Sequence, residues 1–248
     1  MSFSTWTPRA VSSEARAWRG TAWRIVEAQH VASTMKIVDS RDEQDVLEAL
    51  LEDGKPALPR QAETLDYLLA APFRYPTRRG GSRFRAATDP GVFYGAAGVR
   101  TACAELGYWR WRFLMDAVDL QRLDPLAHTA FRAQMATSAV DLRAAPFDRD
   151  VERWGHPSDY AGTQAFARVA RDAGVGAIIY RSVRDPDPAW CVALLSIDGF
   201  SRPSPYGASQ TWWLMVAPEA VVWRRDQASF TFDTAAWQTG FTSPHVIE

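Results

Sequence analysis

The sequence predicts an α+β protein with a single domain. The chain has 248 residues, of which 47% are hydrophobic and 23% are charged, and these values are typical of one packed globular domain. Short apolar runs typical of strands and amphipathic segments typical of helices are mixed along the chain. Because strands and helices do not alternate regularly, the order favours an α+β fold over a doubly wound parallel sheet.

Caps and breakers delimit the predicted elements of the first half. Ser40 and Glu43 form a capping box that opens a helix, and Gly54 ends this helix. Pro72 is expected to end the second, shorter helix. In order, the predicted elements are an irregular polar lead-in over 1–20, a strand over 21–28, helices over 40–54 and 62–72, a strand over 92–96 and a helix over 98–116.

The second half contains two predicted helices followed by four strands. Asp124 is suited to cap a helix whose first position is Pro125, and Gly174 closes the next helix. The predicted elements are helices over 124–138 and 158–174 and strands over 176–182, 189–197, 211–217 and 220–225. Since no repeat, low-complexity tract or linker interrupts them, we expect one domain over 21–248.

One acidic residue stands out in the helix predicted over 98–116. Its apolar stripe consists of Ala102, Leu106, Trp109 and Phe113. At roughly 100° per residue, Glu105 lies about 70° from the centre of this stripe. The pattern therefore predicts a carboxylate at the edge of an otherwise apolar helix face.

Charge and cysteine content restrict the environment and the partners. The formal net charge is −1, so the chain has no global attraction to nucleic acid or to an anionic membrane. Apart from Lys36 and Lys55, every basic side chain is arginine, which reflects either genomic composition or a need for bidentate phosphate ligands. Cys103 and Cys191 lie in apolar runs and are expected to be reduced thiols in the core. The N-terminus lacks the apolar run of a signal peptide, so we expect a cytoplasmic protein.

Several common catalytic motifs are absent from the sequence. It has no nucleophile elbow, no P-loop, no dinucleotide-binding glycine motif and no HExxH motif. The four histidines show no metal-ligand spacing with one another or with the cysteines. The sequence therefore predicts no metal site.

Four separated motifs, taken together in their order, resemble the RES domain family, which is named for an arginine, a glutamate and a serine. The resemblance extends from about residue 23 to about residue 195. The chain departs from the family pattern in two places. Position 23 is tryptophan where many members have tyrosine, and the stretch over 30–79 is longer than in the smallest members, so its role is left open. The motifs are Trp23-Arg24, Gly81-Ser82-Arg83-Phe84, Phe93-Tyr94-Gly95-Ala96 followed by Thr101-Ala102-Cys103-Ala104-Glu105, and Tyr180-Arg181-Ser182-Val183-Arg184.

The resemblance implies a fold and a function. RES proteins are similar to ADP-ribosylating toxins, so it implies a mixed β-sheet core with surrounding helices. It also implies the toxin of a bacterial toxin–antitoxin pair that consumes NAD⁺ by hydrolysis, by phosphorolysis or by transfer of ADP-ribose to a protein. The implied partner is an antitoxin with an Xre-like helix-turn-helix that covers the active site. Membrane or direct nucleic-acid binding is not implied, and the oligomeric state is left open.

The matched residues suit this chemistry. Cleavage between nicotinamide and ribose leaves positive charge on the sugar, which the Glu105 carboxylate can stabilise. Arg24 and Arg83 are the candidates for binding the diphosphate, and Arg83 is also a candidate catalytic residue. Tyr94 offers a ring face or a hydroxyl to NAD⁺, and Ser182 can orient Glu105 or bind the nicotinamide amide.

Each candidate also has a purely structural alternative. Glu105 can pair with Arg112, and Arg83 can cap its loop against Asp89, while Arg24, Tyr94 and Ser182 can be ordinary strand and turn residues. The alternative for the whole chain is a non-catalytic interaction or nucleotide-binding module on the same fold. The intact arginine, glutamate and serine favour the enzyme.

Overall fold

The computed structural model describes residues 6–28, residues 56–75 except 58, residues 81–238 except 188, and the isolated residues 40, 42, 43, 46 and 50. The predicted α+β class is confirmed, since helices and strands are mixed along the chain. In chain order the elements are α1 (Pro8–Glu14), β1 (Arg16–Glu27), α2 (Tyr67–Arg74), β2 (Phe93–Ala96), α3 (Val99–Asp116), β3 (Leu123–Asp141), α4 (Val151–Trp154), α5 (Ala161–Asp172), β4 (Ala177–Arg181), β5 (Trp190–Leu194), β6 (Gln210–Val216), β7 (Ala220–Arg225), β8 (Ala228–Asp233) and α6 (Ala235–Gln238).

The eight strands form one mixed sheet in the order β1-β2-β5-β4-β3-β6-β7-β8. Strand β1 also pairs with β3 over its full length, so the first five strands of this order close on themselves. The pairing of β3 with β4 is parallel, whereas the other pairings are antiparallel. The long strand β3 is therefore the element to which β1, β4 and β6 are all attached.

Two apolar cores lie on opposite faces of the sheet. On one face, side chains of α3 pack against alternate residues of β1, β6 and β7, and the same core includes buried residues of α5, which contacts α1 and α4. On the other face, Leu69 of α2 packs with Phe93, Phe131 and the remaining alternate strand residues. Successive side chains of a strand point to opposite faces, and β1 follows this rule, since Ile25 belongs to the first core and Ala22 to the second. We call the face covered by α3 the helix face.

The helix predicted over 124–138 is wrong, because this segment forms most of β3. Burial alternates along it, with Phe131, Ala133 and Met135 buried in the core opposite the helix face. The Asp-Pro pair read as a helix cap lies where the register of β3 against β6 shifts, between Leu123 and Leu126. Backbone pairing with strands on both sides outweighs the weak helix preference of this alanine-rich run.

The irregular lead-in predicted over 1–20 is wrong for its second part. Pro8–Glu14 is α1, and Thr7 caps it by accepting a hydrogen bond from the backbone N–H of Ala10 at 3.3 Å. Strand β1 then starts at Arg16. The threonine-proline pair at the start of α1 is a recognisable signal for a helix N-terminus.

Two further details of the structure differ from the predictions. Pro72 lies inside α2 rather than after its end, and β8 was not predicted. Of the helix predicted over 40–54, the N–H of Glu43 donates to Ser40 Oγ at 3.2 Å, as a capping box requires. The rest of that helix lies outside the described residues. The extent of the domain over 21–248 stays a prediction.

Helix α3 confirms the helix predicted over 98–116 but buries a different face. Trp109 is 47% exposed and Phe113 is 54% exposed, so these two members of the predicted stripe point away from the sheet. The buried face instead includes small residues, and a Cβ atom at Gly107 would lie 2.9 Å from Val221 Cγ1. A glycine at this crossing lets the helix approach β7 closely.

Within the described ranges, no helix is long and apolar enough to cross a membrane.

We expect Gly107→Ala to lower the free energy of unfolding by about 1 kcal/mol. Alanine gains about 1 kcal/mol in helix propensity, but overpacking against Val221 costs roughly 1–3 kcal/mol. Urea denaturation measures the difference. In a Val221→Ala background the clash is relieved, so the same substitution should there be neutral or stabilising. Stabilisation by Gly107→Ala in the parent protein would show that α3 does not pack as closely as described.

Candidate active site

A cleft of about 210 Å³ opens on the helix face of the sheet, between α3 and the segment that connects α4 to α5. Its floor crosses four neighbouring strands at Trp23, Ala96, Cys191 and Tyr180, which are successive partners in the sheet register. The remaining lining residues are Arg24, Ile25, Ser82, Arg83, Tyr94, Gly95, Ala102, Glu105, Leu106, Trp109, Tyr160 and Arg184.

The carboxylate of Glu105 enters this cleft from α3. Ser182 Oγ, which follows β4 directly, donates a hydrogen bond to Glu105 Oε1 at 2.6 Å. The thiol of Cys191 lies 3.9 Å from the same oxygen. In the described part of the chain, Glu105 Oε2 has no hydrogen-bond partner, so one carboxylate oxygen remains available to a ligand.

Ser182 has a fixed orientation because its hydroxyl also accepts two hydrogen bonds. The donors are the backbone N–H groups of Arg184 at 3.2 Å and Asp185 at 3.1 Å. With both acceptor positions occupied, the hydroxyl proton is directed at Glu105. The side chain of Ser182 therefore stabilises the tight turn that follows it and also supports the Glu105 carboxylate.

The turn that begins at Ser182 is tied back to α3 by an aspartate. Thr101 donates to Asp185 Oδ2 at 2.8 Å, and Arg100 pairs with Asp185 Oδ1. Asp185 is 6% exposed. The helix that carries Glu105 and the turn that carries Ser182 are consequently connected twice, once through Glu105 itself and once through Asp185.

Arg83 lies in the wall opposite β1 and is 7% exposed. Its Nη1 donates to the carbonyls of Trp154 at 2.9 Å and His156 at 3.0 Å, and its guanidinium lies 4.8 Å from the ring centre of Tyr160. The predicted alternative of a cap against Asp89 is not formed, since Asp89 pairs with Arg168. Arg83 makes no ion pair with any described residue.

Tyr94 supports the loop that carries Arg83. Its hydroxyl accepts from the backbone N–H of Phe84 at 2.9 Å and shares a hydrogen bond with Ser82 Oγ at 2.8 Å. Burial raises the pKa of the Tyr94 phenol. The ring lines the cleft, while the hydroxyl is engaged with the protein.

The side chain of Arg24 is directed away from the other candidates. Its guanidinium lies 4.9 Å from the ring centre of Phe93, which belongs to the core opposite the helix face. Its Nη1 donates to the carbonyl of Tyr94 at 2.9 Å, and burial lowers its pKa to about 10. Although Arg24 contributes to the cleft wall, these contacts do not support the predicted role as a phosphate ligand.

Arg184 lines the cleft beside Ser182, although the sequence assigned it no role. Its guanidinium lies 3.4 Å from the ring centre of Tyr108, and its Nη2 donates to the carbonyl of Pro157 and to the hydroxyl of Tyr160 at 3.1 Å. Position 184 lies within the last matched motif, and that was the only signal for it. Tyr160 contacts both Arg83 and Arg184, and no motif or spacing in the sequence indicated a role for it.

The environment of Glu105 is weakly polar. Burial raises the pKa of the Tyr180 phenol well above its usual value, and the nearby Cys191 thiol and Glu105 carboxylate act in the same direction. Burial, followed by the charge of Glu105, also raises the pKa of the Cys191 thiol. Burial therefore favours the neutral form of both groups, which lie beside the Glu105 carboxylate.

No set of three or more histidine, cysteine, aspartate or glutamate side chains in the described ranges is arranged to hold a metal ion.

Comparison with known proteins assigns the chain to a family. The model of the RES domain family matches residues 57–217, more than half of the chain. The protein belongs to the RES domain family. Curated protein sequences give no match. A solved structure, the M. tuberculosis MbcT–MbcA toxin–antitoxin complex, aligns over 94% of both chains with 12% sequence identity and a TM-score of 0.48.

The structure brings together most of the residues that the sequence singled out in this RES domain. Arg83, Tyr94, Glu105 and Ser182 line or directly support one cleft, whereas the Arg24 guanidinium lies on the opposite face of the sheet. Arg83 and Arg184 are cations without a carboxylate partner among the described residues. A cleft with one oriented carboxylate and unneutralised arginines is suited to a ligand that becomes cationic at one centre and is anionic elsewhere.

Proposed function

We propose that this RES domain protein cleaves the bond between nicotinamide and ribose in NAD⁺ and acts as the toxin of a toxin–antitoxin pair. The observation that carries the proposal is the hydrogen bond of 2.6 Å from Ser182 Oγ to Glu105 Oε1, which leaves Oε2 without a described partner on a residue that lines the same cleft as Arg83 and Arg184. NAD⁺ combines a sugar that becomes cationic during cleavage with an anionic diphosphate. The two kinds of charge in the cleft match these two parts.

Glu105 acts on the ribose. As the glycosidic bond breaks, its electron pair leaves with nicotinamide, and the ribose carbon acquires oxocarbenium character. The carboxylate stabilises this charge, and its open oxygen Oε2 accepts a hydrogen bond from a ribose hydroxyl. Ser182 keeps the carboxylate from rotating, so little reorganisation is needed when the charge develops.

The arginines supply attraction and orientation. Arg83 keeps Nε and Nη2 without a hydrogen-bond partner among the described residues, and Arg184 stands beside Ser182. Because Arg83 and Arg184 are 7% and 4% exposed, their charges are weakly screened by water, and a buried arginine without a carboxylate partner favours an anion. Exposed aromatic surface of Trp109 at the entrance offers a face against which the nicotinamide or adenine ring can pack.

Three reactions share this first step. Water as the acceptor gives hydrolysis, inorganic phosphate gives phosphorolysis, and a protein side chain gives ADP-ribosylation. In each case the acceptor adds an electron pair to the ribose carbon and loses a proton. Product analysis with and without phosphate distinguishes the three reactions.

The proposed partner is an antitoxin with an Xre-like helix-turn-helix. A cell that makes an enzyme able to drain a central cofactor needs a means to block the cleft. An antitoxin segment that brings a carboxylate to the cleft arginines would compete with the diphosphate of NAD⁺.

We predict that Glu105→Gln lowers the turnover of NAD⁺ by at least about 10²-fold, because the amide cannot stabilise positive charge on the ribose. Chromatography of NAD⁺, nicotinamide and the ribose product measures the rate. Glu219→Gln is a matched control, since Glu219 is an exposed residue of the turn between β6 and β7. Parent-like turnover by a folded Glu105→Gln protein would refute the catalytic role.

In cells, we predict that expression of this chain alone stops bacterial growth and lowers the NAD⁺ content. Glu105→Gln should remove both effects, and co-expression of the adjacent small gene product should restore growth of the parent strain. Growth curves and NAD⁺ assays after induction test this. A folded parent protein that is harmless and leaves NAD⁺ unchanged, in a strain that lacks the antitoxin, would favour a non-catalytic binding module.

A further inference from the structure

Asp185 is a buried aspartate to which the proposed reaction gives no role. Its side chain is 1% exposed, and it is not among the residues that line the cleft. A buried carboxylate is costly to the protein unless its oxygens are hydrogen-bonded or paired with a cation. The partners of Asp185 therefore indicate what the carboxylate holds together.

Both carboxylate oxygens of Asp185 have partners in the first turn of α3. Thr101 Oγ1 donates to Oδ2 at 2.8 Å, and Arg100 Nη1 pairs with Oδ1. Thr101 lies four residues before Glu105, so the two side chains lie on the same face of the helix and one turn apart. Asp185 consequently binds α3 one turn before Glu105.

The backbone of Asp185 acts on Ser182. Its N–H donates to Ser182 Oγ at 3.1 Å, and the N–H of Arg184 donates to the same oxygen at 3.2 Å. The carboxylate also closes the next part of the turn, since Oδ1 accepts a hydrogen bond from the N–H of Asp187 at 3.2 Å. One residue thus orients the Ser182 hydroxyl through its N–H and attaches the turn to α3 through its side chain.

Arg100 does not depend on Asp185 alone. Its Nη1 also lies 2.8 Å from Asp187 Oδ2, on a side chain that is 82% exposed. The Arg100 side chain itself is 32% exposed. Removal of the Asp185 carboxylate would therefore leave this arginine with a carboxylate partner and in contact with water, so it would create no unpaired buried charge.

Arg184, which precedes Asp185 and lines the cleft, has contacts of its own. Its Nη2 donates to the carbonyl of Pro157 and to the hydroxyl of Tyr160, and its carbonyl accepts from Trp237 Nε1 at 2.8 Å. None of these contacts involves the side chain of Asp185. Loss of that side chain should therefore disturb Ser182 more than the arginine in the cleft.

We propose that Asp185 is a positioning residue, which holds the Ser182 hydroxyl against Glu105 Oε1 by tying the turn after β4 to the first turn of α3. This role rests on the proposed function, because it assumes that Glu105 stabilises positive charge on the ribose. Such stabilisation is strongest when the carboxylate is held in place before the charge develops. Asp185 acts through Ser182 and contacts no substrate.

Steady-state kinetics with NAD⁺ separate positioning from substrate binding. Asp185→Ala should lower kcat about tenfold and change KM by less than about twofold, because Glu105 loses its fixed position while the cleft arginines keep theirs. Asp185→Asn retains an oxygen that accepts from Thr101, so its kcat should stay within about threefold of the parent value.

A matched pair of threonine variants controls for a loss of stability. Thr101 and Thr234 are both buried, and each donates one hydrogen bond, to Asp185 at 2.8 Å and to the carbonyl of Pro218 at 2.6 Å. Thr101→Val should lower kcat about threefold, whereas Thr234→Val should leave kcat unchanged although it removes a bond of the same kind. Thr101→Val takes the place of Asp185→Ala if the alanine variant does not fold.

A double-mutant cycle with Ser182 tests the route of the effect. Because Asp185 acts through the serine, Asp185→Ala should lower kcat by less than about twofold in a Ser182→Ala protein. A loss of about tenfold in both backgrounds would overturn the inference, since Asp185 would then act independently of Ser182. Parent-like kcat of a folded Asp185→Ala protein would also overturn it and would leave the proposed reaction unaffected.

Crystal structures provide a measurement that needs no turnover. In the Asp185→Ala protein, Ser182 Oγ should lie more than about 3.5 Å from both carboxylate oxygens of Glu105, whereas in the Thr234→Val protein the contact of 2.6 Å should remain. Loss of this contact in a protein whose parent cleaves no NAD⁺ would support the positioning of the pair by Asp185 and refute the proposed reaction. An intact contact would overturn the inference whether or not the parent cleaves NAD⁺.

Discussion

The hydrogen bond between Ser182 and Glu105 is the contact on which the candidate site depends. It joins the turn after β4 to the middle of α3, and the Asp185 contacts with Arg100 and Thr101 join the same two elements a second time. The close crossing of α3 over β7 at Gly107 sets the depth at which the carboxylate enters the cleft. A small displacement of this helix would therefore separate the acidic side chain from the serine and from the floor of the cleft together.

The charge distribution around Glu105 depends on whether each nearby arginine is paired with a neutral group or with a carboxylate. Arg83 donates to the carbonyl of Trp154 at the end of α4 and to that of His156, and Arg184 donates to the carbonyl of Pro157. Neutral partners fix the positions of these cations without cancelling their charge, whereas Arg100 and Arg168, which have structural tasks, pair with aspartates. The contrast explains how a chain with a net charge of −1 can present a positive cleft.

The sequence predicted the local elements and the core of the site better than the long-range arrangement. Glu105 and Ser182 were singled out because each lies in a motif, and the end of α5 was predicted from Gly174, which follows the helix with a positive φ of 71°. Strand β3 could not be recognised, since its alanine-rich pattern becomes a strand only through pairing on both sides. The contacts of the Arg24 side chain could not be predicted either, because side-chain direction on β1 depends on which face of the sheet α3 covers.

The central claim is that one cleft holds both the sugar, at Glu105, and the phosphates, at the arginines that line its walls. A crystal structure of the Glu105→Gln protein with NAD⁺ tests it most directly. The account predicts the nicotinamide ribose within hydrogen-bonding distance of residue 105 and the diphosphate beside Arg83 or Arg184, the two arginines of the cleft without a carboxylate partner. Intact NAD⁺ bound in the reverse direction, or at a surface outside this cleft, would contradict it.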